Sequence, residues 1–339
     1  MGSPKMTQSN NDSKWGYWRW SGLGLVVALA YSMLSLGSPA ITADKFAENR
    51  PGGAVETPLP FHSKKAMEHI KTICNLGPRI SGSEAMKKQQ DLLSTHFQEC
   101  GAKVVRQEFR AGARSKKGDV PMTNLIASFQ PELTKRIILC AHYDTRPFAD
   151  QETDPRLKTK SFAGANDGAA GAAFLMEFAS HLKDLKTPCG VDLVLFDGEE
   201  YVFERGDPYF HGSKYFATSW KNKANRPAYL GAVLVDMIAG RDPRFPVEQN
   251  SWWNASQLVT EIYTIALQQK CHFFRGDKYS STPVEDDHIA LNQVGIPAID
   301  IIDFDYPHWH RVTDTPENCS PEGLEQVAKV LGIWVQRAK

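Results

Sequence analysis

The chain carries no surplus of charge: 39 lysines and arginines meet 39 aspartates and glutamates over 339 residues. This excludes the basic footprint of a nucleic-acid-binding surface, and there is no acidic tail. Internal repeats and low-complexity tracts are also missing, which excludes a solenoid or a compositionally biased linker protein. The longest uncharged apolar run, Leu23 to Leu36, falls short of the about 20 residues of an ordinary membrane span. The six cysteines (74, 100, 140, 189, 271 and 319) follow no zinc-knuckle spacing, so they are not read as metal ligands. Six cysteines allow 15 pairings, among which a sequence cannot choose.

What is present suits a folded domain. The chain is 42% hydrophobic, with 20 prolines and 25 glycines spread along it, enough for a substantial core. Residues 1–20 are lightly basic (Lys5, Lys14, Arg19) and end in Trp15, Tyr17, Trp18 and Trp20. The apolar run follows, then small residues near Ala40 and Ala43. Basic flank, short apolar core and small-residue exit are the pattern of a secretory signal. The aromatic cluster would also suit an interface, so an uncleaved anchor is the alternative. Residues 1–45 are therefore expected to be a signal peptide or N-terminal anchor, and residues 46–339 the folded domain, which the motifs below mark as a zinc-dependent catalytic domain. That domain is expected to be secreted, periplasmic or otherwise extracytoplasmic, touching a membrane only through an uncut N-terminus.

After a Pro/Gly-rich linker at Pro51 to Pro60, the pattern predicts helices over Ser63 to Cys74 and Glu84 to Cys100, the second capped by Ser83 and ended by Gly101. Val104 to Phe109, Thr123 to Phe129 and Arg136 to Cys140 read as strands, the first two separated by a basic loop near Gly112 to Gly118. From there strands and helices alternate: a small-residue helix from Asp167 to about His181, a strand at Val191 to Phe196, and a helix at His211 to Trp220. A strand at Ala228 to Leu234, a helix at Ser256 to Gln269, a strand at Ala298 to Ile302 and a helix at Pro321 to Arg337 complete the chain. The expected fold is α/β, a central mixed, mostly parallel sheet flanked by helices, with antiparallel strands near its start.

Five stretches share one property, a ligand-type side chain just past a strand or at a helix start. They are His142 with Asp144, Asp167 in Gly164-Ala165-Asn166-Asp167-Gly168, Glu199-Glu200 in Asp197-Gly198-Glu199-Glu200, Asp236, and His310 after Trp309. Sheets of this type place their ligand sites beyond the carboxyl ends of the strands. Histidine and carboxylate together are the donor set of a zinc ion in a hydrolytic or Lewis-acid role. Taken singly, each has a plain alternative: a hydrogen-bonded strand-end histidine, a helix N-cap at Asp167, a turn residue at Asp236, solvated loop charges at Glu199 and Glu200. Their joint placement favours a single metal site. His62, His69, His96, His181, His211 and His272 lack that context and are expected on helices or at the surface.

The series His142-Tyr143-Asp144, Gly164-Ala165-Asn166-Asp167, Asp197-Gly198-Glu199-Glu200, Asp236-Met237-Ile238, Asp287-His288 and Trp309-His310 resembles the zinc aminopeptidase family called M28. Within it, the chain resembles the glutaminyl-peptide cyclotransferases of animal type, which also occur in bacteria. The resemblance covers roughly residues 60–339. It implies Asp167, Glu200 and His310 as zinc ligands and Glu199 as general acid/base. It also implies that His142 and Asp236 would hold a second zinc in an aminopeptidase. In a cyclotransferase Asp236 would contact substrate and one zinc would be bound. Asp286 before Asp287-His288, and Trp309 before the last ligand, follow the cyclotransferase pattern. They make Asp286 a catalytic candidate, and Asp236 and Trp309 substrate-binding candidates.

Three departures bear on the specificity pocket rather than the metal. Arg205 stands where animal cyclotransferases carry a tryptophan, Arg311 follows the final histidine, and Ala141 and Ala172 replace a cysteine pair. The expected partner is a peptide or protein N-terminus. The expected reaction is conversion of N-terminal glutamine to pyroglutamate with release of ammonia. The alternatives are a two-zinc aminopeptidase and, from another class, a non-catalytic extracellular binding protein.

Overall fold

The computed structural model describes residues 57–112, 117–185 and 187–338. The N-terminal segment 1–45, most of the linker after it and residues 113–116 of the basic loop lie outside the described residues. Among the described residues no helix is long and apolar enough to cross a membrane.

The first two helices are α1, Ser63–Cys74, and α2, Glu84–Glu99. The Ser83 side chain accepts a hydrogen bond from the Met86 amide, as its capping position requires. Strands β1 (Lys103–Arg110) and β2 (Pro121–Phe129) pair antiparallel. The rest of the sheet comes from β3 (Lys135–His142), β4 (Gly190–Phe196), β5 (Ala228–Asp236) and β8 (Ala298–Ile302). The six strands lie in the order β1-β2-β4-β3-β5-β8. β2 joins β4 antiparallel, and β4, β3, β5 and β8 are mutually parallel. This is the mixed, mostly parallel sheet expected.

β3 explains why the sheet is covered on both faces. Ile137, Leu139 and Ala141 pack into the cluster formed with α1, α3 (Ala169–Ala179) and α7 (Pro321–Arg337), while Ile138 and Cys140 pack into the other, with Phe216, Leu291 and Ile296. Alternate side chains of one strand thus enter two cores, the mark of a parallel strand buried on both sides. Each such leucine or isoleucine removed from water contributes about 1.5–3 kcal/mol. α3 is buried along its whole length, and its small residues permit this. A Cβ at Gly171 would lie 2.6 Å from the Ala141 Cβ and 2.9 Å from the Val235 carbonyl.

Four features differ from the pattern-based expectation. α3 starts at Ala169 with Gly168 at its N-cap, so Asp167 lies before the helix and does not cap it. Gly168 adopts φ +92°, and a Cβ there would collide with the Asp144 carbonyl. α4 runs from His211 to Asn222. α5 begins at Gln249 rather than Ser256, because Glu248 caps it by accepting from the Asn250 and Ser251 amides. A non-helical Ala255 (φ −144°) breaks its apolar period, so only the second half showed in the sequence. Finally, β6 (Phe245–Val247) and β7 (Phe274–Tyr279) form a small separate pair, and the short helix α6 (Asp287–Gln293) precedes β8. All six cysteines are free.

Candidate active site

The strand order reverses about β3, which has β4 on one side and β5 on the other. Ligand sites of open α/β sheets form at such a switch, beyond the carboxyl ends of the strands. The parallel register sets His142 beside Phe196 and so brings the ends of β3 and β4 together; Asp236 ends β5 opposite Ile302 of β8.

The turn after β4 is shaped by Asp144, which follows β3. Its two carboxylate oxygens accept from the Glu199 amide (3.1 Å) and the Glu200 amide (3.0 Å). Asp144 therefore holds the two glutamates in place instead of joining the ligand group. Asp197 is likewise structural, accepting from Ser81 Oγ at 2.6 Å and the Thr123 amide at 2.8 Å. The turn before α3 is held by Asp314, whose carboxylate accepts from the Asn166 amide (2.9 Å) and the Asp167 amide (3.1 Å). The Tyr306 hydroxyl donates to the same carboxylate at 3.0 Å.

Asp167, Glu200 and His310 meet where these turns converge, with one potential ligand atom from each lying within 4.8 Å of the others. His310 Nε2 is 2.6 Å from Glu200 Oε1 and 3.5 Å from Asp167 Oδ2. Asp150 accepts at His310 Nδ1 (3.0 Å), which fixes the ring and turns Nε2 toward the two carboxylates. Despite burial, Glu200 and Asp150 raise His310 to about 10. Asp167 Oδ2 is buried with no hydrogen-bond partner. Two buried carboxylates pressed against one imidazole, one oxygen left without a donor, are what a divalent cation would satisfy. The donor set thus fits zinc.

His142 forms a second group with Asp167 and Asp236, again within 4.8 Å. Its Nε2 is 3.2 Å from an oxygen of each. Those carboxylates, with Asp144, raise His142 well above the ordinary imidazole range although burial works against it. Glu199 is half-buried beside these groups. Burial first, and then the neighbouring Glu200, push its carboxyl well above the usual range. Asp286, the N-cap of α6, and Asp236 shift the same way, chiefly through burial.

These side chains line one cleft of about 200 Å³, together with Trp309, Phe304, Ile302, Tyr209 and Phe210. That lies below the roughly 300–1,000 Å³ of clefts for drug-sized ligands, so it admits a side chain rather than a length of peptide. Every site residue expected from the sequence (His142, Asp167, Glu199, Glu200, Asp236, Asp286, Trp309 and His310) lines it. Arg205 does not: it is exposed on the loop after β4, and Tyr209 and Phe210 form that wall. Sequence reasoning missed Asp150, Asp314 and Arg146. The Arg146 amide donates to Glu200 Oε2 at 2.9 Å, and its guanidinium reaches Asp150 and the Tyr209 hydroxyl. No local pattern marks these three, because their partners lie 50 or more residues away, except in the Arg146–Asp150 and Tyr306–Asp314 pairs.

The fold and this constellation define a class. The family model for peptidase family M28 matches residues 124–335, and the chain belongs to that family. Among solved structures it is similar to the glutaminyl cyclase of Fimbriiglobus ruber, at 46% identity over 86% of this chain and 100% of that one, with TM-score 0.81. A leucine aminopeptidase precursor from Bacteroides thetaiotaomicron aligns at 27% identity over 84% of this chain and 100% of that one, with TM-score 0.77. A glutaminyl-peptide cyclotransferase of Gloydius blomhoffii is 28% identical over 244 residues, 63% of this chain and 64% of that protein's own length.

Proposed function

We propose that this chain is a zinc-dependent glutaminyl-peptide cyclotransferase that binds one zinc ion and acts on peptide or protein N-termini. The observation that carries the reading is the convergence of Asp167, Glu200 and His310 on one point at the floor of a side-chain-sized cleft, with Glu199 alongside. The similarity to glutaminyl cyclases at 46% identity supports the choice of reaction.

A zinc ion held by Asp167, Glu200 and His310 would supply a Lewis acid for the side-chain amide carbonyl of an N-terminal glutamine. The chain's own residues do the rest. Trp309 gives the flat carboxamide an apolar wall, and Asp236 accepts a hydrogen bond from the substrate's α-amine. Glu199 takes a proton from that amine as its nitrogen bonds to the side-chain carbonyl carbon. It returns the proton to the departing nitrogen, the old carbon–nitrogen bond breaks, and ammonia leaves a closed pyroglutamyl ring. The raised carboxyl of Glu199 suits a group that must both take and give a proton. Asp286 faces this exchange and supports the raised value. Because the nucleophile belongs to the substrate, the cleft need only exclude water and hold amine and carbonyl together.

A second reading has its own observation: the group His142, Asp167 and Asp236 could hold another ion, which a two-zinc aminopeptidase would use to hydrolyse N-terminal residues. Incubation of the purified protein with a Gln-Phe peptide, read by mass, separates the two. Loss of ammonia from an intact dipeptide is the expected product. Free glutamine would establish hydrolysis, and no turnover at all would leave the non-catalytic alternative. The signal-like N-terminal segment supports an extracytoplasmic location.

A further inference from the structure

Four of the histidines that the sequence leaves as surface or helix residues gather at the far end of α3. His62 stands at the N-cap of α1, His69 lies on α1, His96 on α2, and His181 just beyond α3. At their centre is Glu177, which is 0% exposed. Glu177 Oε1 accepts from the His62 amide at 3.2 Å and lies 3.0 Å from His181 Nε2. Its Oε2 is buried with no hydrogen-bond partner, and His69 Nε2 is 3.9 Å away. The His62 and His181 rings sit 5.6 Å apart, and one ligand atom from each of His62, Glu177 and His181 falls within 4.8 Å of the others.

From this geometry we propose a second metal site, taking a zinc-class divalent cation on His62, Glu177 and His181, with His69 at its edge. Two imidazoles and a carboxylate are a standard donor set for zinc, and the exposed His62 side leaves a position open to water. A buried carboxylate balanced by protonated histidine alone does not account for the arrangement. Such pairing would satisfy the oxygen facing His181 and leave Oε2 bare. His69 Nε2, at 3.9 Å, stands beyond hydrogen-bond reach of Oε2 and does not satisfy it. His96 is already engaged, its Nε2 2.8 Å from the Met176 carbonyl. Glu177 also occupies the last turn of α3, where the helix dipole disfavours a bare anion and favours a cation.

The site is distinct from the cleft. Asp167 precedes the first turn of α3 and Glu177 lies in its last, and an 11-residue helix is about 16 Å long. A cation there would clamp the start of α1 to the end of the buried helix that positions Asp167.

The test is zinc content per chain after equilibration of the full-length protein in buffered free Zn²⁺ and desalting. Wild type is compared with His62→Ala/His181→Ala and with Asp167→Asn/His310→Ala. The first variant should lose one zinc per chain, keep its turnover of the Gln-Phe peptide, and lose part of the zinc-induced rise in Tm. Asp167→Asn/His310→Ala should keep the zinc at Glu177. Glu177→Gln, which preserves side-chain shape, should repeat the loss if the alanine pair folds poorly. Equal zinc in wild type and both His62/His181 and Glu177 variants would overturn the proposal, as would uptake that does not saturate.

Discussion

The two ends of strands β3 and β4 treat buried charge in opposite ways. At the amino end, Arg136 and Asp192 meet at 2.6 Å with side chains 5% and 4% exposed. Every side-chain polar atom of this pair has a partner. The guanidinium also donates to the carbonyls of Phe129, Gln130, Leu133 and Val191, and Asp192 accepts from Ser128 Oγ and the Tyr229 hydroxyl. At the carboxyl end, Asp167, Glu199, Glu200, Asp236 and Asp286 crowd around two imidazoles, and Asp167 Oδ2 has no donor. A closed network with matched charge positions the strands and asks nothing of solvent. An acidic network short of cations is built for something that arrives. Buried charge is therefore informative about function only after its partners have been counted.

The sharpest way to break this contrast is to remove the arriving cation. Chelation, or His310→Ala, should lower kcat/KM for N-terminal glutamine by at least about 10³-fold, since Lewis-acid stabilisation is worth several kcal/mol. Glu199→Gln should lower kcat by about 10²–10⁴-fold while zinc content stays at the wild-type level. Steady-state kinetics beside metal analysis check both. Activity surviving in either variant would remove the acidic end from catalysis.

A smaller effect tests the contrast in stability. Asp192→Asn leaves Arg136 buried without its counter-ion and should cost about 3–5 kcal/mol in urea unfolding. At the other end, Asp286→Asn removes a carboxylate that repels its neighbours, so the metal-free protein should be unchanged or more stable. Opposite signs sharpen the comparison. If both variants are destabilised alike, the two ends are equivalent structural networks.

Much of this was legible in the sequence, for a physical reason. The buried strands are short apolar runs, and His142, Asp236 and the Glu199-Glu200 pair sit at or just past their ends, so both signals are local. α1, β8 and α7 match their expected limits, since each carries an unbroken period. Illegible were the elements whose stability is tertiary. The first turns of α5 are organised by Glu248, which also accepts from the Val284 amide 36 residues on. β6 is three residues long, and α6 is a seven-residue turn of helix capped by Asp286. The same applies within the site. Asp167 was visible in its glycine-flanked turn, but Asp314, which fixes that turn, lies 147 residues later. Asp150 orients His310 across 160 residues. Ligands announce themselves through local context, whereas the residues that aim them are found only through contact.

The mildest test follows the protons. Burial raises Asp197 to about 8 and Asp287 and Asp314 to about 7, and shifts Glu199, Asp236 and Asp286 the same way. A carboxyl held above its unfolded value binds more protons in the folded state, so its ionisation is resisted by the fold. The stability it allows is present at low pH and is lost as pH rises through the folded value. The metal-free protein should therefore lose stability from about pH 4 toward pH 8, by up to about 1.4 kcal/mol per unit for each group that differs fully in protonation. Ordinary salt-bridged carboxylates give the reverse slope. Zinc needs deprotonated ligands and binds more tightly as pH rises, so the loaded protein should show a flatter profile than the metal-free one. Asp286→Asn should flatten the metal-free profile without zinc, because it deletes one of the resisted ionisations and eases its neighbours. Thermal unfolding across this range, with and without zinc, reads all three curves. A metal-free Tm that climbs with pH would mean that these carboxylates already have their counter-charges, and that the carboxyl end is not waiting for a cation.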